Sequence, residues 1–560
     1  MKPVISIGNQ DFSSIRENNS FYIDKTSFIK EWWGNRDVVT LITRPRRFGK
    51  TLNMSMTEAF FSNQYAGRKD LFEGLSVWND PEYREMQGSF PTIFLSFADI
   101  KASTYKVARS AIIQKLIRLY NMYDYLKTDN VLRGADWDYI RSIKTDMTDE
   151  IAAVSMNYLC EYLYRYSGKK VLIFLDEYDT PLQEAFVNGY WEELSEFMRS
   201  LFNSTFKTNP YMERGLLTGI TRVGKESIFS DLNNIEVVTT TSVKYQTSFG
   251  FTEEEVQFAL KEFELSDSME KVRLWYDGFR FGSRKDIYNP WSITKYLDSG
   301  KFDSYWANTS SNSLISKLIR EGTPDIKIAM EDLLKGRQME SVIDEEIVYS
   351  QLNQNTAAIW SLLLASGYLK VEKAPMEGSG GIYVLSLTNY EVEKMFRRMI
   401  HEWFQNTSVR YNDFVKALLD EDVDYMNEFM NQIALQTFSS FDAGKKPSEK
   451  AEPEKFYHGF LLGLIVDLAD KYRIMSNRES GLGRYDVVLE PLKDGLNAYV
   501  FEFKVRRPQK EKNLEETVQN ALKQIADKGY DTELIARGIP GEKIRHYGFA
   551  FEGKKVLIGC

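Results

Sequence analysis

Between residues 38 and 220 the chain alternates short, continuous apolar runs with longer amphipathic stretches. Val38–Thr43 (VVTLIT), Pro91–Phe97 (PTIFLSF), Val171–Leu175 (VLIFL) and Gly215–Ile220 (GLLTGI) carry apolar or β-branched residues at nearly every position. Runs of this kind are strands covered on both faces; half-exposed strands would alternate polar and apolar. Thr51–Phe61 and Lys106–Tyr166 read as helical stretches between them. Residues 1–245 are therefore expected to be an α/β domain, a parallel sheet with helices on both faces.

Downstream the pattern changes twice. Residues 246–330 hold aromatics and turn residues in blocks (FGFTEEEV, WYDGFRFG, IYNPWSI, YWANTSSNS) and are expected to form a mostly helical lid with ordered loops. Residues 331–440 contain a helix and strand in Asn355–Val371, a Gly-rich tip at Glu377–Gly381, a strand at Ile382–Leu387 and a helix at Glu391–Trp403, a winged-helix-like order. Phe441–Lys455 (FDAGKKPSEKAEPEK) has the composition of a linker. Residues 456–560 then run helix (Phe456–Tyr472), strand (Tyr485–Leu489), strand (Ala498–Val505), helix (Leu514–Ala526), strand (His546–Phe551), a second α/β domain.

Composition narrows the function classes. Of 560 residues, 43% are hydrophobic and 27% charged, which is ordinary globular usage and excludes wholesale disorder. The longest apolar stretch, Gly459–Val466, stops at Asp467, far short of a membrane span. The first residues, MKPVISIGNQDF, lack the apolar core of a secretory signal, and two cysteines give no disulfide framework, so a cytoplasmic location is expected. Three histidines leave little room for His-based zinc chemistry. A net charge of −9 means that any polyanion site must be a local basic groove.

Arg44–Thr51 reads RPRRFGKT between a strand and a helix. A phosphate loop needs inward-pointing backbone N–H groups, a Lys for the β/γ-phosphates and a hydroxyl for Mg²⁺. Gly49, Lys50 and Thr51 provide the second half of that signature, Arg44 replaces its first Gly, and Arg46, Arg47 and Phe48 complete the loop. Val171–Leu175 delivers Asp176 and Glu177 to the carboxyl end of a buried strand, where open α/β sheets bind ligands. Asp176 is suited to hold Mg²⁺ through water and Glu177 to orient an attacking water. The next strand brings Thr218 and Arg222; Thr218 is placed to sense a terminal phosphate, and Arg222 either neutralises charge, in cis or in trans, or pairs with a surface carboxylate.

Taken in order, FYIDKTSFI, LITRPRRFGKT, VLIFLDEYDTP, LLTGITRVGKESIFSDLNNI, WYDGFRFG, YNPWSI and YWANTS resemble the AAA-ATPase-like family, over nearly the whole chain. The resemblance implies an ATP-binding fold with Lys50 and Thr51 as Walker A residues, Asp176 and Glu177 as Walker B residues, and a nuclease-like domain at the C-terminal end. It gives no chemical role to Tyr22, Asp24, Lys25 or Tyr288–Trp291, which are expected to pack and to form turns.

In Ala498–Val505 (AYVFEFKV), Phe501, Phe503 and Val505 share one face and Glu502 and Lys504 the other. A Glu and a Lys on an otherwise buried strand are costly to desolvate unless something binds them. Asp486, on a run able to pair with this strand through a turn at Pro491–Asn497, completes an Asp plus Glu-x-Lys set. Two carboxylates suit Mg²⁺ or Mn²⁺, and the Lys suits a water nucleophile. The order of elements resembles the PD-(D/E)XK nuclease superfamily. That resemblance implies a role for Gln524 on the following helix, with Tyr530 beside it, and makes His458 a candidate phosphate contact or a structural residue. Arg484, Arg506, Arg507, Lys510 and Lys512 either track phosphates or form a solvated helix start.

The expected function is thus ATP binding, with hydrolysis, coupled to a metal-dependent nuclease acting on DNA or RNA, with no membrane partner and with homo-oligomers formed through the ATPase region. The alternative is a nucleotide-gated binding module whose nuclease fold does not cut.

Overall fold

The computed structural model describes the chain except residues 1, 128–130, 224–228, 230–231, 308–312, 322–323, 345, 348–351, 353–354, 376–380, 406–410, 438–460, 462–464, 466–467, 469–470, 477–478, 481–482, 485, 494 and 553–554. The expected linker at 441–455, residues 377–380 of the Gly-rich tip, His458 and the side chains of Arg222 and Arg484 lie outside the described residues. The chain divides into two units, Met1–Leu318 with Gly336–Met395 and Ile319–Lys335 with Phe396–Cys560. Among the described residues no helix is long and apolar enough to cross a membrane.

In the first unit β1 (Val39–Thr43), β2 (Thr92–Ser96), β3 (Val171–Asp176), β4 (Met212–Gly219) and β5 (Ile235–Val238) form one sheet in the order β2-β3-β4-β1-β5. Every pairing is parallel. β1 and β3 are buried along their whole length, as their unbroken apolar runs require. Leu172, Phe174, Leu216 and Ile42 pack with Met54, Phe60 and Phe61 of the helix Lys50–Phe61 and with Trp32. Register brings the carboxyl ends together: Ser96 pairs with Asp176, and Thr43 with Gly219. β5 carries a Glu in a half-exposed run, so no buried-strand signal marks it.

Residues 246–330 are mostly helical, as the sequence suggests, with helices at Glu253–Glu262, Met269–Tyr276, Pro290–Ser299 and Ser313–Glu321, but they also hold a small sheet that the sequence reading did not include. β6 (Phe251–Thr252), β7 (Phe279–Phe281) and β8 (Arg284–Tyr288) form an antiparallel sheet in the order β6-β8-β7. The β7–β8 hairpin turns through Gly282 at φ +55, where a Cβ would sit 2.6 Å from the Ser242 carbonyl oxygen. This is the positive φ that a tight hairpin demands. The FYIDKTSFI block anchors this sheet's neighbourhood: Lys25 Nζ donates to both Glu255 oxygens (2.7 and 2.6 Å) and to the Thr247 carbonyl (2.9 Å).

Further along the first unit, β9 (Met339–Val342), β10 (Leu369–Lys373) and β11 (Ile382–Leu387) form a sheet in the order β9-β11-β10; in the chain the helix Thr356–Ala365 separates β9 from β10, and the helix Tyr390–Gln405 begins after β11. Glu391, at the start of the second helix and fully buried, accepts from the Trp306 backbone N–H (2.5 Å), the Ser292 hydroxyl (2.8 Å) and the Ala307 N–H (3.4 Å). It thereby ties the YNPWSI and YWANTS blocks together. Burial pushes its carboxyl up to about 7 even though these donors favour the charged form. A carboxyl that holds its proton more tightly when folded adds stability at low pH, and that contribution is lost as pH rises from 4.5 to about 7. Glu391→Gln is expected to flatten the pH dependence of the thermal midpoint across that window; a slope equal to the parent's would count against it.

The second unit holds β12 (Tyr472–Ser476), β13 (Val487–Pro491), β14 (Ala498–Val505), β15 (Ile544–Glu552) and β16 (Lys555–Gly559), ordered β12-β13-β14-β15-β16. β14 and β15 run parallel, joined across the helix Leu514–Lys528, and the other pairs are antiparallel. Phe501, Phe503, Tyr547, Phe549 and Phe551 build a core on one face, with Phe414 and Phe429 among its members. On the other, Val488, Val500 and Ile544 pack with Ile525, Tyr530 and Leu534. Two asparagines on the helix Val423–Thr437 complete β16: Asn427 exchanges two hydrogen bonds with the Ile558 backbone (2.9 and 2.7 Å) and Asn431 two with Val556 (2.7 and 2.9 Å).

Candidate functional site

The loop after β1 lies at the carboxyl edge of the parallel sheet. Gly49 takes φ +77 and caps the helix Lys50–Phe61, and Arg47, two residues earlier, takes φ +66. The Lys50 ammonium, 4% exposed, donates to the carbonyls of Arg44 and Pro45, both at 2.9 Å, and so braces the loop from within. Burial pushes its pKa down, opposed by Glu177, Asp179 and Asp176 and reinforced by Arg46. Phe48 is buried, with its ring edge-on against Phe279 and Phe281, and it also borders the cleft beside the loop. Arg44 is buried too, stacked 4.3 Å from the Phe281 ring and donating to the Thr43 and Thr239 carbonyls. This explains what occupies the place of the signature's first glycine: a side chain turned into the core.

Across from the loop, the Asp176 carboxylate accepts from Thr51 Oγ1 (2.9 Å), Thr218 Oγ1 (2.6 Å) and Ser96 Oγ (3.3 Å). Burial raises its pKa, with Glu177 adding to the shift and the hydroxyls and Lys50 opposing it. Glu177 itself sits at φ +49, a left-handed conformation uncommon outside glycine; such backbone costs of order 1–3 kcal/mol and collects at ligand sites. The loop and Glu177 enclose a cleft of about 400 Å³, with Arg47, Gly49, Lys50, Thr51, Glu177 and Trp291 in its wall. Arg222 pairs its backbone with Glu346 in a short parallel bridge.

Sequence reading missed Asp179. Buried like Asp176, it accepts from the Ile220 and Thr221 N–H groups (2.9 and 3.0 Å) and from Gln183 Nε2 (3.1 Å), and Gln183 in turn accepts from Arg46 (3.1 Å). Gly219 makes room for it, since a Cβ there would lie 2.9 Å from Asp179 Oδ1. The signal was the second aspartate of DEYD, four residues before a Gln on one helical face.

In the second unit the four predicted side chains converge. Asp486 lies one step beyond the Val487–Phe501 pair of the β13–β14 hairpin, opposite Glu502, and its Oδ2 accepts from the Phe503 N–H at 2.8 Å. Glu502 is 3% exposed and accepts from Gln524 Nε2. Lys504 Nζ lies 3.8 Å from Glu502 Oε1 and donates to Gln524 Oε1 at 2.7 Å, while Gln524 Nε2 also reaches the Tyr530 hydroxyl at 3.1 Å. One amide thus holds the Glu and the Lys in fixed relation. Burial raises the Tyr530 phenol's pKa, and the charges of Glu502 and Asp486 add to that. Of the basic residues nearby, Arg506 is structural: it donates to Glu552 and to the carbonyls of Glu511 and Lys512.

Comparison with known proteins matches two stretches of the chain to families. Residues 6–229 match the predicted AAA-ATPase family model, and residues 452–559 match that of the PD-(D/E)XK nuclease superfamily. The chain joins an AAA-ATPase-like region to a PD-(D/E)XK nuclease-superfamily domain. It is 25% identical over 561 residues to an uncharacterized protein in the vnfD 5′ region of Azotobacter chroococcum mcd 1, covering 96% of this chain and 94% of that one. Among solved structures, the Aeropyrum pernix ORC2 protein in ADPNP–ADP complexes matches with a TM-score of 0.23 and 11% identity, over 69% of this chain and 94% of that one.

ATPase-like and nuclease-superfamily domains use nucleotide and divalent metal, and both sites have donor sets of that kind. No group of three or more His, Cys, Asp or Glu gathers as a metal site among the described residues. The nuclease-superfamily domain instead presents two opposed carboxylates, enough for a hard cation that also takes water and phosphate oxygens. A close approach makes that arrangement possible. Gly548 pairs with Glu502, and a Cβ there would stand 2.9 Å from the Val518 carbonyl oxygen and 3.1 Å from Ala521 Cβ. Only a glycine lets the helix Leu514–Lys528 come near enough for Gln524 to reach Glu502. Gly548→Ala is expected to cost about 1–3 kcal/mol through overpacking, read as a thermal midpoint several degrees lower; an unchanged midpoint would contradict it.

Proposed function

We propose that this protein binds and hydrolyses ATP at the phosphate-loop cleft and uses that cycle to control a metal-dependent nuclease acting on nucleic acid. The observation that carries the reading is the linked set of Asp486, Glu502, Lys504 and Gln524, in which one amide fixes an acid and a base beside a second acid. Asp486 and Glu502 are the residues that would hold Mg²⁺ or Mn²⁺. When bound, the cation supplies positive charge to the scissile phosphate and lowers the pKa of a water. Lys504 orients that water and neutralises charge on the phosphate, and Gln524 keeps the ammonium within reach of the Glu502 carboxylate.

At the cleft, Lys50 serves the β/γ-phosphates, Thr51 and Asp176 serve Mg²⁺, Glu177 orients the attacking water, and Thr218 reports on the terminal phosphate through Asp176. Arg46 acts through Gln183 and Asp179. Arg222 is assigned to charge neutralisation, within one chain or between copies of a homo-oligomer. Exposed Arg507, Lys510 and Lys512, on the loop following the Glu-x-Lys strand, supply phosphate contacts to the nucleic acid.

The test is incubation of the purified chain with plasmid, linear DNA and RNA, with and without ATP and Mn²⁺. Cleavage is expected only with the metal, at a rate that ATP changes. ATP binding without cleavage of any substrate would overturn the nuclease and favour a nucleotide-gated binding module.

A further inference from the structure

Trp291 belongs to the YNPWSI block, which the sequence leaves with packing alone. Its indole lies in the wall of the phosphate-loop cleft, with the Arg47 guanidinium 4.4 Å above the ring and Lys295 Nζ 5.4 Å from its centroid. Two cations share one aromatic ring there.

The other basic side chains of the loop each hold a protein partner in this structure. Arg44 is turned into the core, Lys50 is bonded to two carbonyls, and Arg46 is bonded to Gln183. Arg47 is exposed, and among the described residues its guanidinium makes no hydrogen bond or ion pair. Its full fork of donors is open to an acceptor from the cleft, and a phosphate fits that fork as a bidentate partner. Its left-handed φ of +66, close to Gly49 at +77, sets it at the crown of the loop. The helix that carries Trp291 is keyed to the same loop: Asn289 Oδ1 accepts from the Trp291 N–H (2.9 Å), and Asn289 Nδ2 donates to the Arg46 carbonyl (3.3 Å). A shift of Arg47 therefore acts directly on the start of the helix Pro290–Ser299.

We propose that Arg47 and Trp291 form a latch that reads the terminal phosphate. The guanidinium rests on the indole when the terminal phosphate is absent and leaves it to bind the terminal phosphate oxygens of a nucleoside triphosphate, releasing the helix Pro290–Ser299 from the loop. This rests on the cleft being a nucleotide site. It makes Arg47 a specificity-determining residue, and Trp291 the positioning residue through which the helix Pro290–Ser299 senses which nucleotide is bound.

The experiment uses the full chain, with ATP and ADP affinities measured by calorimetry and tryptophan emission recorded in parallel. Because the chain has ten tryptophans, the difference between the parent and Trp291→Phe isolates this one. ATP is expected to change the Trp291 signal and ADP to leave it near the nucleotide-free value. Arg47→Gln is expected to weaken ATP by about tenfold or more and ADP by less than about twofold. Trp291→Phe is expected to keep ATP affinity within about threefold and to lose the signal. Equal losses for ATP and ADP in Arg47→Gln, or an ATP-specific emission change surviving in Trp291→Phe, would overturn the latch and leave the nucleotide site standing. A parent that binds neither nucleotide would overturn the site and the latch together.

Discussion

Replacing Glu502 by glutamine is expected to reduce metal-dependent cleavage of nucleic acid by about 100-fold or more, while nucleotide affinity stays within about twofold. Glutamine has nearly the volume of glutamate, so the packing of Val500, Ile525 and Tyr530 on that face of the sheet survives. What goes is one of the two negative charges facing the cation position. Lys504→Ala is expected to do comparable damage for a different reason. Its ammonium is held by Gln524 at 2.7 Å and by the charge of Glu502 at 3.8 Å, so it is already in place and no other cation replaces it. Both variants should unfold within a few degrees of the parent. The measurement is the initial cleavage rate over a Mn²⁺ titration: activity retained in both proteins at any metal concentration would remove these residues from the chemistry.

Lys50→Ala is expected to weaken ATP binding by about 100-fold or more, on the order of 3 kcal/mol. Two effects add. The ammonium that would meet the phosphates is lost, and so is the brace that holds the Arg44 and Pro45 carbonyls turned inward. Because the group is buried, alanine also leaves a gap beneath the loop. Lys50→Met, which fills that gap without charge, separates the effects: it should recover thermal stability but not affinity. Calorimetry giving a dissociation constant within threefold of the parent for both variants would mean that nucleotide is held elsewhere.

Strands β1 to β3 were legible because each is a continuous apolar run, the pattern that burial on two faces imposes; so was the second half of β4, whose first residues include Glu213 and Arg214. β5, β12 and β16 were not: they carry Glu236, Arg473 and Lys555, which interrupt an apolar run. The β7–β8 hairpin hid in an aromatic-rich block, although its FRF-GS-RKDIY pattern contained a two-residue turn. At the sites, GKT, the DE pair and Glu-x-Lys were visible because each chemistry fixes the residue types and their spacing. Phe48, expected in the ligand wall from its place in the loop, borders the cleft while its ring packs edge-on against Phe279 and Phe281, a direction that loop position alone does not tell. Asp179 and Gln183 were passed over for the converse reason: their partners Ile220, Thr221 and Arg46 are brought in by sheet order, and no local spacing records that.

The asparagine pair on Val423–Thr437 carries a consequence for how this protein can meet other chains. Side-chain amides already satisfy the outward-facing donors and acceptors of Val556 and Ile558, so this border of the sheet offers no template on which a foreign extended peptide, or a second molecule, could zip up. Strand addition to this sheet is left with its opposite border, along Tyr472–Ser476.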